Sequence, residues 1–171
     1  MERLWLFDHL AVSVLWIDFL DPELAGQPDV RERGVRIEVR PTTSTEAGSI
    51  YASPARSLAP ALCRIDFLES RPGAADRMHW HPDMHDGEPG DRTFDVDMPG
   101  DPVGWLTAFL GDLESFLVRA GSSDVTAMTA DLDAIRAASD EIGRAVSEGL
   151  AHVRTPWPDV VHDSRGQALV T

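Results

Sequence analysis

Hydrophobic and polar residues alternate over much of the first hundred positions, with the period of two that is typical of half-exposed strands. The segment VRIEVR (35–40) places valine and isoleucine on one face and arginine and glutamate on the other. The segments ALCRIDFLE (61–69), RMHWH (77–81) and RTFDVDM (92–98) predict further strands. LAVSVLWIDFL (10–20) is apolar on both faces, which suits a central strand or a buried helix, and we interpret it as a strand.

The pattern changes to a helical period after residue 100. Asp101 is suited to cap a helix whose first turn contains Pro102, a position at which proline is tolerated. Apolar residues then follow the three–four spacing of one helix face: Leu106, Phe109, Leu110, Leu113 and Leu117. Gly121 is placed to end this helix, and a second amphipathic helix is predicted over 124–151. A short Gly-Ser turn between them predicts an antiparallel helical hairpin.

Strands followed by helices indicate the α+β class. We expect one domain over 1–171, mainly β over 1–100, with two helices over 101–153 and an irregular tail over 154–171. The predicted architecture is an N-terminal antiparallel sheet, open or curled into a half-barrel, followed by a C-terminal antiparallel helical hairpin. The pattern leaves the strand order open.

The charge balance narrows the classes of partner. The chain carries 29 acidic and 15 basic residues, a net charge of −14, and its basic residues are all arginine. Such a surface repels phosphate backbones, so we expect no nucleic-acid partner. Acidity of this degree suits a cation or a basic partner. A small-molecule ligand is also compatible with the sequence, and the oligomeric state, including a homodimer, stays open.

Two features bear on the cellular compartment. The apolar stretch 10–20 is too short to span a bilayer and is interrupted by Ser13 and Asp18, so no membrane association or signal peptide is expected. The single cysteine, Cys63, cannot form an internal disulfide, which suits a reducing compartment. A cytoplasmic protein is therefore the prediction. We expect Cys63, on the apolar face of its strand, to be a buried small hydrophobe rather than a nucleophile.

Half of the six histidines lie within the stretch MHWHPDMHDGEP (78–89). In an extended strand, residues two apart project to the same side, so His79 and His81 can share one ion. His85 follows Pro82 in a segment that can fold back toward them. Imidazole binds Zn, Fe, Mn, Ni and Cu. The predicted metal ligands are therefore His79, His81 and His85, for a divalent transition metal.

Carboxylates near this cluster supply candidate catalytic groups. A hairpin through SRPGAAD (70–76) would bring Arg64, Asp66 or Leu68 beside the histidine pair. Asp66 would then act as a ligand, as a group that orients a ring, or as a proton carrier. Glu88 is a second candidate proton carrier and ligand. Further candidate ligands follow from proximity: Asp83, Asp86 and Glu69. The competing interpretation is that the histidines are simply hydrogen-bonded or solvated, or line an apolar pocket without a metal.

The stretch HWHPDMH resembles the first cupin motif, in which HxH is followed three or four residues later by glutamate. Here the fourth position holds His85, and Glu88 lies three residues further on. The second cupin motif is absent, because the chain turns helical instead. The stretch is also similar to the HxHxDH motif of metallo-β-lactamase-fold hydrolases, with one residue too many. The resemblances imply metal-dependent chemistry and assign no family.

Two functional hypotheses therefore remain. The first is a small metal-binding protein acting as a metal-dependent enzyme, with the ion polarising a carbonyl or activating water or dioxygen. The alternative is a non-catalytic acidic module that binds a protein partner or a small molecule. The sequence does not select a substrate or a reaction type.

Overall fold

An antiparallel sheet forms the N-terminal half of the protein, in a computed structural model that describes residues 1–20, 31–45, 51–119, 128–159, 161–162, 164 and 168–169. The six strands are β1 (Glu2–Leu6), β2 (Leu10–Leu20), β3 (Arg31–Thr45), β4 (Ala55–Leu58), β5 (Cys63–Glu69) and β6 (Arg77–His81). The main path of the sheet runs β1-β2-β3-β5-β6, and β4 pairs with the C-terminal end of β3. Every pairing is antiparallel.

Helices follow the sheet, so the predicted α+β class and the order of its parts are confirmed. The sheet is open and not a closed barrel. None of the described helices is long and apolar enough to cross a bilayer. The remaining elements, in chain order, are the short strands β7 (Met84–His85) and β8 (Glu88–Pro89), helices α1 (Pro102–Gly111), α2 (Leu113–Arg119) and α3 (Thr129–Val153), and the short strands β9 (Val161–His162) and β10 (Ala168–Leu169).

The helical part corrects the prediction of two helices. Asp101 caps α1 as expected, since its side chain accepts a hydrogen bond from the backbone N–H of Gly104. The first predicted helix is divided at Asp112, whose N–H bonds to the carbonyls of both Ala108 and Phe109. The break follows Gly111, a residue with low helix propensity. The described part of the chain thus has three helices, and Gly121, the predicted helix end, lies outside the described residues.

The predicted strand RTFDVDM is wrong. Only Thr93 pairs with the sheet, as an isolated bridge to Trp80. Phe94 and Val96 are 67% and 93% exposed, which an alternating buried face would not allow. The carboxylate of Asp95 accepts hydrogen bonds from the backbone N–H two residues on and from the Trp105 indole N–H. Local bonding of this kind competes with strand pairing and favours a turn.

The two faces of the sheet have different roles. Valine, isoleucine and phenylalanine side chains of β3 and β5 lie buried in one core with the apolar faces of α1, α2 and α3. Helix α3 approaches this face closely at Gly149, where a Cβ atom would lie 2.6 Å from the Val35 side chain and 2.6 Å from the Trp16 indole nitrogen. The opposite face of β3, β5 and β6 carries the polar half of the alternation, and the histidine pair belongs to it.

The close approach at Gly149 predicts a packing defect. We expect Gly149→Ala to lower the free energy of unfolding by about 1–3 kcal/mol, because α3 must move away from Trp16 and Val35. Gly111→Ala is the matched control, since a Cβ there meets no atom within 4 Å. It should leave stability unchanged or raise it by up to about 1 kcal/mol through helix propensity. Urea denaturation measures both, and equal effects at the two positions would contradict the packing argument.

A buried carboxylate connects the helical half to the sheet. Asp131 lies in the first turn of α3, and its side chain is 4% exposed. Its oxygens accept hydrogen bonds from the backbone N–H groups of Asp8 (3.3 Å), His9 (2.6 Å) and Leu10 (2.8 Å). The negative charge also lies at the positive end of the helix dipole. Asp131 therefore fixes the turn between β1 and β2 against α3.

Candidate metal centre

The candidate centre is built across three neighbouring strands. The register places Arg36 of β3 opposite Asp66 of β5, and Asp66 opposite His79 of β6. Paired residues in an antiparallel sheet project to the same side, so the three side chains form one row. His81, two residues along β6, projects to that side as well. Of the three residues that could lie beside the histidine pair, the register places Asp66 opposite His79, Arg64 opposite His81 and Leu68 opposite Arg77.

Hydrogen bonds to carbonyl groups fix the orientation of both imidazoles. His79 Nδ1 lies 2.8 Å from the carbonyl oxygen of Arg77, and His81 Nδ1 lies 2.8 Å from that of Gly90. A carbonyl oxygen only accepts, so each Nδ1 must carry the proton and donate. In the neutral imidazole, each Nε2 is then left with a lone pair, as metal binding requires.

The Nε2 atoms converge on one carboxylate oxygen. Asp66 Oδ2 lies 3.7 Å from His79 Nε2 and 3.8 Å from His81 Nε2. The other oxygen, Oδ1, accepts a hydrogen bond of 2.7 Å from Arg36 Nε. One ligand atom from each of the three residues lies within 4.8 Å of the others, and all three residues are buried. The arrangement therefore offers three oriented donor atoms.

These separations suit a shared cation better than direct hydrogen bonds. A hydrogen bond between nitrogen and oxygen requires about 2.7–3.2 Å, which both distances to Asp66 exceed. An ion held at about 2.0–2.2 Å from each donor requires donors separated by roughly 4 Å or less, which both distances meet. Two imidazoles with one carboxylate is also a donor set that transition metals accept. The two distances to Asp66 are therefore compatible with a shared transition-metal ion, and the ligand atoms of all three residues lie within 4.8 Å of one another.

Burial keeps His79 in its metal-binding form. Removal of the imidazole from water lowers the pKa of His79, and the positive charge of Arg92 lowers it further. The carbonyl of Arg77 and the charge of Asp66 act in the opposite direction without reversing the shift. The pKa therefore lies below its usual value of 6.5, and the ring is neutral at physiological pH. Neutral imidazole is the form that coordinates metals.

A small hairpin supports His81 from the loop side. Strands β7 and β8 pair through Asp86 and Gly87, which both have positive φ angles, of 52° and 89°. The Asp-Gly pair favours such a tight turn. The hairpin returns the chain to Gly90, whose carbonyl accepts from His81 and whose N–H donates to the carbonyl of Asp83. A Cβ at Gly90 would lie 2.9 Å from that Asp83 oxygen, so glycine permits this approach.

Two of the predicted site residues, His85 and Glu88, lie in the β7–β8 hairpin and outside the group formed by Asp66, His79 and His81. His85 and Glu88 form a pair in this hairpin, and both are exposed. Neither belongs to the three-residue group found among the described residues, and Glu88 does not line the adjoining pocket. The structure brings together His79, His81 and Asp66 but not His85 or Glu88. Their roles as third histidine ligand and proton carrier stay predictions.

The other candidate ligands also lie elsewhere. Glu69 projects to the opposite side of β5 from Asp66, where it is buried and paired with Arg154. Asp83 and Asp86 are exposed residues of the β7–β8 segment. Cys63 is fully buried, and burial raises the pKa of its thiol to about 12, so it remains protonated. This agrees with the prediction of a structural cysteine.

The sequence did not predict that two arginines, Arg36 and Arg92, belong to the site. Arg36 was visible as part of the polar face of VRIEVR, and the alternation alone places it on the same side as Glu38 and Arg40. Its pairing with Asp66 depends on the β3–β5 register, which the sequence does not give. Arg92 follows the hairpin in an irregular segment, and no periodic pattern marks it.

The cupin resemblance does not extend to the fold, because the sheet is open and the carboxylate beside the two histidines comes from the preceding strand rather than a later one. No protein-family model, no curated protein and no solved structure matches this chain.

Proposed function

We propose that the protein binds one divalent transition-metal ion through Asp66, His79 and His81 and uses it in a reaction on a small molecule. One observation carries this proposal: three buried donor atoms converge, while the second polar atom of each side chain is engaged in an orienting hydrogen bond. Such partners fix the direction of ligand lone pairs at metal sites. A structural role alone would not require all three lone pairs to face one point.

An ion with three protein ligands keeps coordination positions for water or substrate, as catalytic metal sites do. It would act as a Lewis acid on a carbonyl group or lower the pKa of a water molecule. Zn, Fe, Mn, Ni and Cu all accept this mixture of nitrogen and oxygen donors. The proposal assigns Asp66 to the ion rather than to proton transfer, and Arg36 to the positioning of Asp66.

The elemental content of the purified protein tests this proposal. Protein prepared without an affinity tag should contain about one transition-metal ion per chain. Asp66→Ala should lose most of it, since even loss of a group that only supports a ligand costs about 10–100-fold in affinity. His85→Ala should retain it, because His85 lies outside the group.

Each result bears on a different part of the proposal. If Asp66→Ala keeps the metal and His85→Ala loses it, the ligands are the three histidines rather than the proposed set. A wild-type protein that contains no metal and takes up none would overturn the proposal and favour the alternative, a non-catalytic acidic binding module. The cytoplasmic location remains a prediction from the single cysteine.

A further inference from the structure

An arginine-lined pocket of about 360 Å³ opens beside the candidate ligands. Three arginines contribute to its wall, Arg36, Arg64 and Arg92. The chain as a whole has a net charge of −14, so this concentration of positive charge runs against the general composition. When the lining of a concave site is positive on an otherwise negative protein, it indicates that the ligand of that site is negative.

The negative groups of the pocket already have partners. Asp66 is paired with Arg36, and Glu32 is paired with Arg77. With a divalent ion bound at Asp66, the positive charges of the pocket would exceed its two carboxylates. The pocket therefore favours an anion.

Two of the arginines retain binding capacity. Arg64 is held by Glu38 through its Nε atom, at 2.8 Å, and makes no other side-chain hydrogen bond to a described residue. Arg92 is exposed and forms no ion pair with any residue in the described ranges. A guanidinium group has five N–H donors, so both retain donors for a ligand.

We propose that this pocket binds a small organic carboxylate, with one end on the metal ion and with Arg92 and Arg64 as its charged partners. The inference rests on the proposed metal site and adds the chemical class of the ligand. Planar guanidinium groups match carboxylates in geometry as well as in charge. The volume is at the small end for ligand pockets, and Phe19 and Leu68 supply an apolar wall for a short carbon skeleton.

Oxalate is a suitable probe, with oxamide as its neutral counterpart of similar size. Protein loaded with Co²⁺ and freed of excess metal should change its visible spectrum on titration with oxalate and not with oxamide. Elemental analysis after the titration must still find the ion on the protein, which excludes removal of the metal by oxalate. Arg92→Gln should weaken oxalate binding about tenfold or more, because a charged hydrogen-bond partner is lost.

Arg144→Gln is the matched control. It removes the same charge from an exposed position of α3, which packs on the opposite face of the sheet, and should leave oxalate affinity within twofold. Three results would overturn this inference while leaving the metal site intact. Metal-loaded protein would fail to bind oxalate, or it would bind oxamide equally well, or its Arg92→Gln variant would bind oxalate as tightly as Arg144→Gln. Failure of wild-type protein to hold Co²⁺ would instead overturn the proposed function.

Discussion

The double variant His79→Ala/His81→Ala is expected to lose metal binding altogether. Removal of one supporting group at a metal site costs about 10–100-fold in affinity, so loss of two ligands should cost at least about 10²–10⁴-fold. The two imidazoles supply two of the three converging donor atoms, and Asp66 alone cannot retain the ion.

Thermal unfolding measures this loss without an assay of activity. An ion present at 100 times its Kd stabilises the folded state by about 2.7 kcal/mol. In a chain of this length that corresponds to a rise in Tm of roughly 5–10 °C. The wild type should show this rise on addition of metal, and the double variant should not.

His9→Ala/His85→Ala is the matched control, since it removes the same number of imidazoles from exposed positions. It should keep both the metal and the Tm shift. If the control loses the shift and the double variant keeps it, the ligand set is wrong.

Asp131→Ala is expected to lower the free energy of unfolding by about 3 kcal/mol or more. Its carboxylate accepts from three backbone N–H groups, and each such group left without a partner costs about 1 kcal/mol or more. The substitution releases the β1–β2 turn from α3 and also removes a favourable charge at the helix N-terminus. Equilibrium denaturation in urea measures the effect.

Two further variants separate this hydrogen bonding from general helix effects. Asp133→Ala changes an exposed residue in the same turn of α3, whose carboxylate pairs with Arg136 at the surface, and should shift stability by less than about 0.5 kcal/mol. Asp131→Asn keeps one acceptor oxygen and should fall between alanine and the wild type. An Asp131→Ala protein as stable as Asp133→Ala would show that the turn does not depend on this carboxylate.

The sequence predicted those parts of the site that depend on local geometry. Alternation in ALCRIDFLE and RMHWH predicted two strands, and the short turn between them made them neighbours. That left Arg64, Asp66 and Leu68 as candidates beside the histidine pair, and the register places Asp66 opposite His79. The same-side projection of His79 and His81 follows from the strand period alone. These inferences hold because the contacts join residues close together in the chain.

Contacts between distant segments could not be predicted in this way. The hydrogen bond from Arg36 to Asp66 requires the β3–β5 register, and the bonds to Asp131 join α3 to residues more than a hundred positions earlier. The strand expected at RTFDVDM failed because alternation is also compatible with a turn stabilised by Asp95. The sequence also did not predict that the Asp86-Gly87 turn pairs His85 with Glu88.

All three proposed ligands lie within residues 66–81, on the single hairpin formed by β5 and β6. Closing so short a loop costs little chain entropy, so this hairpin can assemble early in folding. During synthesis, the donor set would be complete before the C-terminal helices leave the ribosome. If the proposed ion binds at that stage, it would connect β5 to β6 before α3 can pack on the sheet and fix the β1–β2 turn through Asp131.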